Sequence, residues 1–162
     1  MNPLPPPAPP TAGAAAPTPA DAVAHFFETL TPAALGQLDR IYTEGARFHD
    51  PFHSVQGLPA IRAIFEHMYG QLDAPRFVVR ERLGDARQAF LIWDFFFYFR
   101  GQRRERRIHG STHLRFAPDG RIREHRDYWD AAQEFYEQWP VLGALMRWLR
   151  RRVAAPGFEM EA

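Results

Sequence analysis

Ten consecutive residues, Phe90-Leu91-Ile92-Trp93-Asp94-Phe95-Phe96-Phe97-Tyr98-Phe99, place one carboxylate among nine apolar or aromatic side chains. Such a run is long enough to cross a sheet and apolar on both alternating faces, so it reads as a central strand covered on both sides. Asp94 then has no easy route to water. Burying a bare carboxylate costs far more than one strand position gains, so Asp94 has to be paired, hydrogen-bonded, protonated or set in a wet cavity. We expect a pocket on its side of the strand. The other face, Leu91, Trp93, Phe95, Phe97 and Phe99, is too apolar to meet water and is expected to lie under a second subunit or the C-terminal helices.

The segments around this strand define an α+β order. Asp21 is positioned to cap a helix with Val23, Phe26, Phe27 and Leu30 on one side, and Thr31-Pro32 starts a second helix through Leu35, Leu38 and Ile41. Ala46 to Asp50 reads as a short strand ending before Pro51, followed by a loop from Phe52 to Gly57. A third helix, Leu58 to Leu72, turns Ile61, Ile64, Phe65 and Met68 inward. Strands are predicted over Phe77 to Arg82, Gln88 to Arg100, Arg107 to Phe116 and Arg121 to Trp129. Turn signals at Gly84-Asp85, Gly101-Gln102 and Pro118-Asp119-Gly120 separate them, giving an antiparallel meander. Ala131 to Trp139 and Val141 to Val153 are helical in pattern and parted at Pro140. Helices first and strands after, without βαβ alternation, exclude a doubly wound sheet.

Composition narrows the function classes. The 162 residues contain no cysteine, which excludes disulfides and thiolate chemistry and fits a reducing, cytoplasmic setting. Every one of the 20 basic residues is arginine, a bias expected of a GC-rich bacterial genome, and the net charge of +1 supplies no field for nucleic acid. No apolar stretch reaches the ~18 residues of a membrane span. The chain divides into a Pro/Ala-rich disordered tail (1–20), one domain (21–132), a helical extension (133–155) and a short tail (156–162). In the extension, Leu142, Leu145, Met146 and Leu149 oppose Arg147, Arg150, Arg151 and Arg152. That pattern suits a packing helix with a solvated face and, as a second reading, contact with an anionic membrane surface.

Period-two bookkeeping puts Ile108, Gly110, Thr112, Leu114 and Phe116 on the inner face of the third long strand. In the last strand, polarity does not choose between Ile122, Glu124, Arg126, Tyr128 and Arg123, His125, Asp127, Trp129. His109 and His113 share a face but lie about 13 Å apart, too far for one metal ion, and His49, Asp50 and His53 match no known ligand spacing. No metal or cofactor is called for. His53 is instead a candidate pocket proton carrier.

Phe48-His49-Asp50-Pro51 with Gly57 before a helix, and Asp119-Gly120-Arg121-Ile122 leading into Arg126-Asp127-Tyr128-Trp129-Asp130, carry a family resemblance over Ala22 to Ala132. The chain resembles the SnoaL-like branch of the nuclear transport factor 2-like superfamily, which also holds ketosteroid isomerases and limonene-epoxide hydrolases. The resemblance implies a cone in which a curved antiparallel sheet wraps the N-terminal helices around an apolar pocket, and a homodimer. The isomerase's general base falls on Asp50 and its pocket tryptophan on Trp129. Its oxyanion donors fall on Phe26 and Thr112, which cannot stabilise an enolate in the same way. The hydrolase's two aspartates fall on Asp94 and Asp127, the arginine two residues before the first of them on Ile92, and its water-holding pair on Phe48 and Asp50. Both comparisons turn Asp127 and Trp129 inward.

The resulting expectation is a small apolar ligand in a pocket rimmed by Phe26, Phe48, His53, Thr112 and Trp129. Asp50, Asp94 and Asp127 would supply cofactor-independent acid/base chemistry of isomerase, cyclase or hydrolase type, since crowded carboxylates at low dielectric cannot all stay ionised. Two competing readings are a non-catalytic ligand-binding or accessory protein and an interaction module using the sheet face or the basic C-terminal helix.

Overall fold

The computed structural model describes residues 17–131. The N-terminal tail up to residue 16 and the predicted helical extension and tail after residue 131 lie outside the described residues. Helix α1 (Pro19–Glu28) is capped by Thr18, whose hydroxyl accepts from the Asp21 amide while the Asp21 carboxylate accepts from the Thr18 amide at 2.8 Å. The expected cap, Asp21, is thus the third helical residue of a capping box. Thr31 does cap the next segment, but as a 3-10 helix (Pro32–Gln37) that passes into a single α-turn, α2 (Leu38–Ile41).

Strand β1 (Tyr42–His49) starts four residues before the expected point, and β2 (Ser54–Gln56) folds back on it as a hairpin, where a loop was expected. Helix α3 (Leu58–Gln71) then buries Ile61 and Phe65. The meander follows as β3 (Leu72–Gly84), β4 (Gln88–Phe99), β5 (Arg106–Phe116) and β6 (Ile122–Trp129). The sheet order is β2-β1-β6-β5-β4-β3. All pairings are antiparallel except β1 with β6, so the sheet is mixed, curved and unclosed. Irregular register at Asp73/Arg76 and Val79/Glu81 in β3 supplies local bends of the kind that curve a sheet.

The register of β4 on β5 reverses one expectation. Leu91 pairs with Thr112, Trp93 with Gly110 and Phe95 with Ile108, and cross-strand partners share a face. The odd-numbered aromatics therefore line the concave side with the inner residues of β5, so the hollow lies on their side of the strand and not on that of Asp94. Gly110 makes this arrangement fit. A Cβ there would sit 2.5 Å from the Trp93 ring, so the indole occupies the space that a side chain would need. Asp94, paired with His109, lies on the convex side.

A similar switch resolves β6. Ile122 and His125 are both buried although three positions apart, because the β5–β6 register shifts between Arg115 and Phe116 and lets Arg123 slip out of step. Strict alternation across that bulge has no consistent answer. Beyond it His125, Asp127 and Trp129 face the concave side.

Candidate functional site

The concave face encloses an open cavity of about 650 Å³, walled by Phe48, Phe65, Phe77, Trp93, Phe95 and Phe97, with Asp50, Phe52, His53, His67, Asp127 and Trp129 among its other lining residues. A volume of this size accommodates a small organic molecule. At its inner end a chamber of about 30 Å³ is bounded by Phe27, Val79, Leu91, Thr112 and His125, and shares Phe65, Phe77, Trp93 and Asp127 with the main cavity. Among the described residues Asp127 is the one carboxylate that borders both spaces.

Asp127 is held from below. Thr112 donates its hydroxyl to Asp127 Oδ1 at 2.5 Å, and Trp93 Nε1 donates to the Thr112 hydroxyl at 2.7 Å. His125 Nε2 lies 2.9 Å from the same Oδ1, and His125 Nδ1 lies 2.7 Å from the Tyr42 hydroxyl. Tyr42 is fully buried, and burial together with the Asp127 charge raises its phenol well above the ordinary value of 10.0. Tyr42 therefore stays protonated and able to donate at any physiological pH.

The Asp50–His53 pair stands at another part of the wall. Asp50 Oδ1 accepts from the amides of Phe52 (2.7 Å) and His53 (2.6 Å), an Asx-type turn that ties the β1–β2 loop. His53 Nδ1 lies 3.0 Å from both Asp50 oxygens. A carboxylate only accepts, or donates solely when protonated, so the ordinary arrangement has Nδ1–H donating to Asp50 and leaves Nε2 for another partner. Asp50 thus combines a loop-fixing role with the orientation of a histidine. Phe52, whose ring packs edge-on against Trp129 at 5.3 Å, ties the loop to the end of β6.

The remaining expected site residues separate. Phe48 and Trp129 line the main cavity and Thr112 the inner chamber. Phe26 lines neither; its neighbour Phe27 occupies the inner chamber, one residue further round α1. Asp94 is the clearest correction. Arg80 approaches Asp94 Oδ2 to 2.8 Å, and His109 Nδ1 lies 2.9 Å from Oδ1, with Arg107 at 3.9 Å. Burial pushes this carboxyl up, but the hydrogen bonds from His109 and Arg80 and the charges of Arg107 and Arg80 prevail and hold it below 3.8. Asp94 is a tethered ion on the convex face and lines neither cavity space. Reasoning from sequence also missed Tyr42, Trp93 and His125 as members of the Asp127 network. Among the described residues no three His, Asp or Glu side chains group to hold a metal ion, and no helix is long and apolar enough to cross a membrane.

Residues 23–125 match the model of the SnoaL-like domain family. The chain belongs to that family. Solved structures similar to this SnoaL-like domain include a candidate SnoaL-like polyketide cyclase from Shewanella putrefaciens, with 18% identity and a TM-score of 0.64 over 76% of this chain and 96% of that one. An LEH-like epoxide hydrolase of M. tuberculosis is 16% identical with a TM-score of 0.60, covering 85% of this chain and 96% of that one. A hypothetical protein with a ketosteroid isomerase-like fold from Catenulispora acidiphila, solved with trimethylamine, is 15% identical with a TM-score of 0.61, covering 73% and 89%. At these identities the likeness speaks for the fold. No curated protein matches the sequence.

Proposed function

We propose that this SnoaL-like domain binds a small apolar molecule in the aromatic cavity and performs cofactor-independent acid/base chemistry on it, with Asp127 as the base. The observation that carries this reading is the position of Asp127, a carboxylate at the junction of two apolar spaces whose hydrogen bonds from Thr112 and His125 both converge on Oδ1. Oδ2 is then the oxygen presented to a ligand. His53, oriented by Asp50, is the proton carrier for a leaving or developing oxygen, and Asp50 is its positioning partner rather than a second base. The solved proteins that share this fold include a candidate SnoaL-like polyketide cyclase and an LEH-like epoxide hydrolase, and chemistry on a small organic molecule is in keeping with both names.

A generic probe tests this without knowledge of the natural substrate. 5-Nitrobenzisoxazole is a flat, apolar ring system that loses its C3 proton to a carboxylate base while its N–O bond breaks, giving 2-cyano-4-nitrophenolate. The wild-type domain is expected to accelerate this elimination, and Asp127→Asn, which keeps an acceptor for Thr112 and His125, to slow it by about 100-fold or more. A wild-type rate no higher than that of free carboxylate, or an unchanged rate in Asp127→Asn, would overturn the assignment.

The competing reading, a ligand carrier without chemistry, is favoured by the ratio of aromatic wall to polar groups. It predicts tight ligand binding in Asp127→Asn and wild type alike, with no elimination by either. The homodimer belongs to this proposal as well, through the convex sheet face, where Phe90 and Tyr128 are 43% and 47% exposed.

A further inference from the structure

His125 occupies a position that the proposed chemistry does not itself require. It is 5% exposed, its ring is packed by Phe27 (5.7 Å), Phe48 (4.7 Å) and Tyr42 (5.9 Å), and both of its nitrogens are engaged. A caged ring of this kind cannot rotate to find other partners. In a neutral imidazole one nitrogen carries hydrogen and the other a lone pair. The two partners dictate which. Asp127 Oδ1 only accepts, and it already receives the Thr112 hydroxyl, so it needs a donor from His125; Tyr42, whose phenol stays protonated, supplies the donor for the opposite nitrogen.

We propose that Tyr42 and His125 are positioning residues for Asp127: the Tyr42 hydroxyl fixes His125 as the Nε2–H tautomer, and that N–H holds Oδ1 so that Oδ2 is the reacting oxygen. The inference rests on Asp127 being the base. With the opposite tautomer, a lone pair on Nε2 would face a carboxylate oxygen at 2.9 Å, and the carboxylate would be repelled from the orientation that borders both cavity spaces. A tyrosine that touches no ligand would thereby set the geometry of the base through one intervening ring. Trp93 acts in parallel on the other side, since its N–H occupies the Thr112 oxygen and leaves the Thr112 hydrogen directed at Asp127.

The test has two independent readouts on the full chain. In long-range 1H–15N correlation spectra of the wild type, His125 is expected as neutral Nε2–H with an unprotonated Nδ1; a Nδ1–H tautomer, or an imidazolium, would overturn the proposal whatever the protein's activity. Tyr42→Phe is expected to shift that signature toward a tautomer mixture. With 5-nitrobenzisoxazole as probe, Tyr42→Phe and His125→Leu are each expected to lower kcat about tenfold or more with KM little changed, the scale of one lost hydrogen bond. His125→Gln, which retains a donor toward Asp127 and an acceptor toward Tyr42, is expected to recover most of the rate. Equal losses in Leu and Gln variants would reduce His125 to a packing residue and sink the inference. If Asp127→Asn itself leaves the rate unchanged, the base assignment has failed, and the tautomer spectrum still decides the hydrogen-bond arrangement.

Discussion

At the scale of single residues, two aspartates that look alike in sequence are put to opposite uses by their surroundings. Asp94 is surrounded by donors and cations and Asp127 by two donors and an apolar hollow, so the first is a structural ion and the second is available to a ligand. For Asp94 the consequence is a stability that depends on pH. Its carboxyl titrates lower in the folded chain than the ordinary 3.8, so the stabilisation is complete above that value and is lost as pH falls through it toward the folded value. Asp94→Asn is expected to cost about 2 kcal/mol near neutral pH, and the gap between wild type and variant to close in urea melts taken at progressively lower pH. A gap independent of pH would show that the charge of Asp94 contributes nothing. The inward direction of Asp127 and Trp129 was legible only through family resemblance. His125 follows from it, being two positions from Asp127 on the same strand face. Tyr42 had no such signal, because the second helix was read through Ile41 and β1 as beginning at Ala46, which left residue 42 outside both.

At the scale of elements, the best-read segments were those with strong periodicity and clear punctuation. The bounds of helix α3, β4 and β5 fall within a residue of expectation because Gly57 marks where α3 starts, and Gly84-Asp85 and Gly101-Gln102 mark the turns on either side of β4. The three-residue strand β2 has no alternation to read; what makes it a strand is hydrogen bonding to β1 and the Asp50 turn. The parallel pairing of β1 with β6 joins segments some 80 positions apart, and nothing local encodes it. The face of β4 was legible in principle: Gly110 on the inner face of β5 leaves a gap that only a large partner such as Trp93 fills, but using it requires the hairpin register. Gly110→Ala is accordingly expected to destabilise the domain by about 1–3 kcal/mol through overpacking, and to displace the Trp93 indole into the cavity, visible as altered tryptophan fluorescence. A neutral substitution with unchanged fluorescence would mean that the indole has room to yield. Thr18→Ala is expected to cost about 1 kcal/mol by opening the α1 capping box, measurable as a lower thermal midpoint with no change in ligand binding.

At the scale of the molecule, a curved sheet with helices on its concave side leaves a hollow that the described side chains do not fill, and the sequence supplies aromatic residues at the positions that wall it. The sequence pattern predicted the α+β architecture because helices precede an uninterrupted meander; it could not assign the contents of the hollow, since that depends on which of two faces each strand turns inward. Native mass spectrometry of freshly purified protein is expected to find a co-purified apolar ligand released on denaturation, and Trp129→Ala to weaken its retention. Protein that is uniformly ligand-free and that fails to take up 5-nitrobenzisoxazole would leave the cavity without a demonstrated occupant. The most direct measurement of the central claim is a crystal structure of Asp127→Asn soaked with 5-nitrobenzisoxazole. The account predicts the ring among Trp93, Phe97 and Trp129 with its C3 atom about 3–3.5 Å from the side-chain oxygen at position 127. Density for the ring anywhere else, or a side chain at position 127 turned away from the cavity, would contradict it.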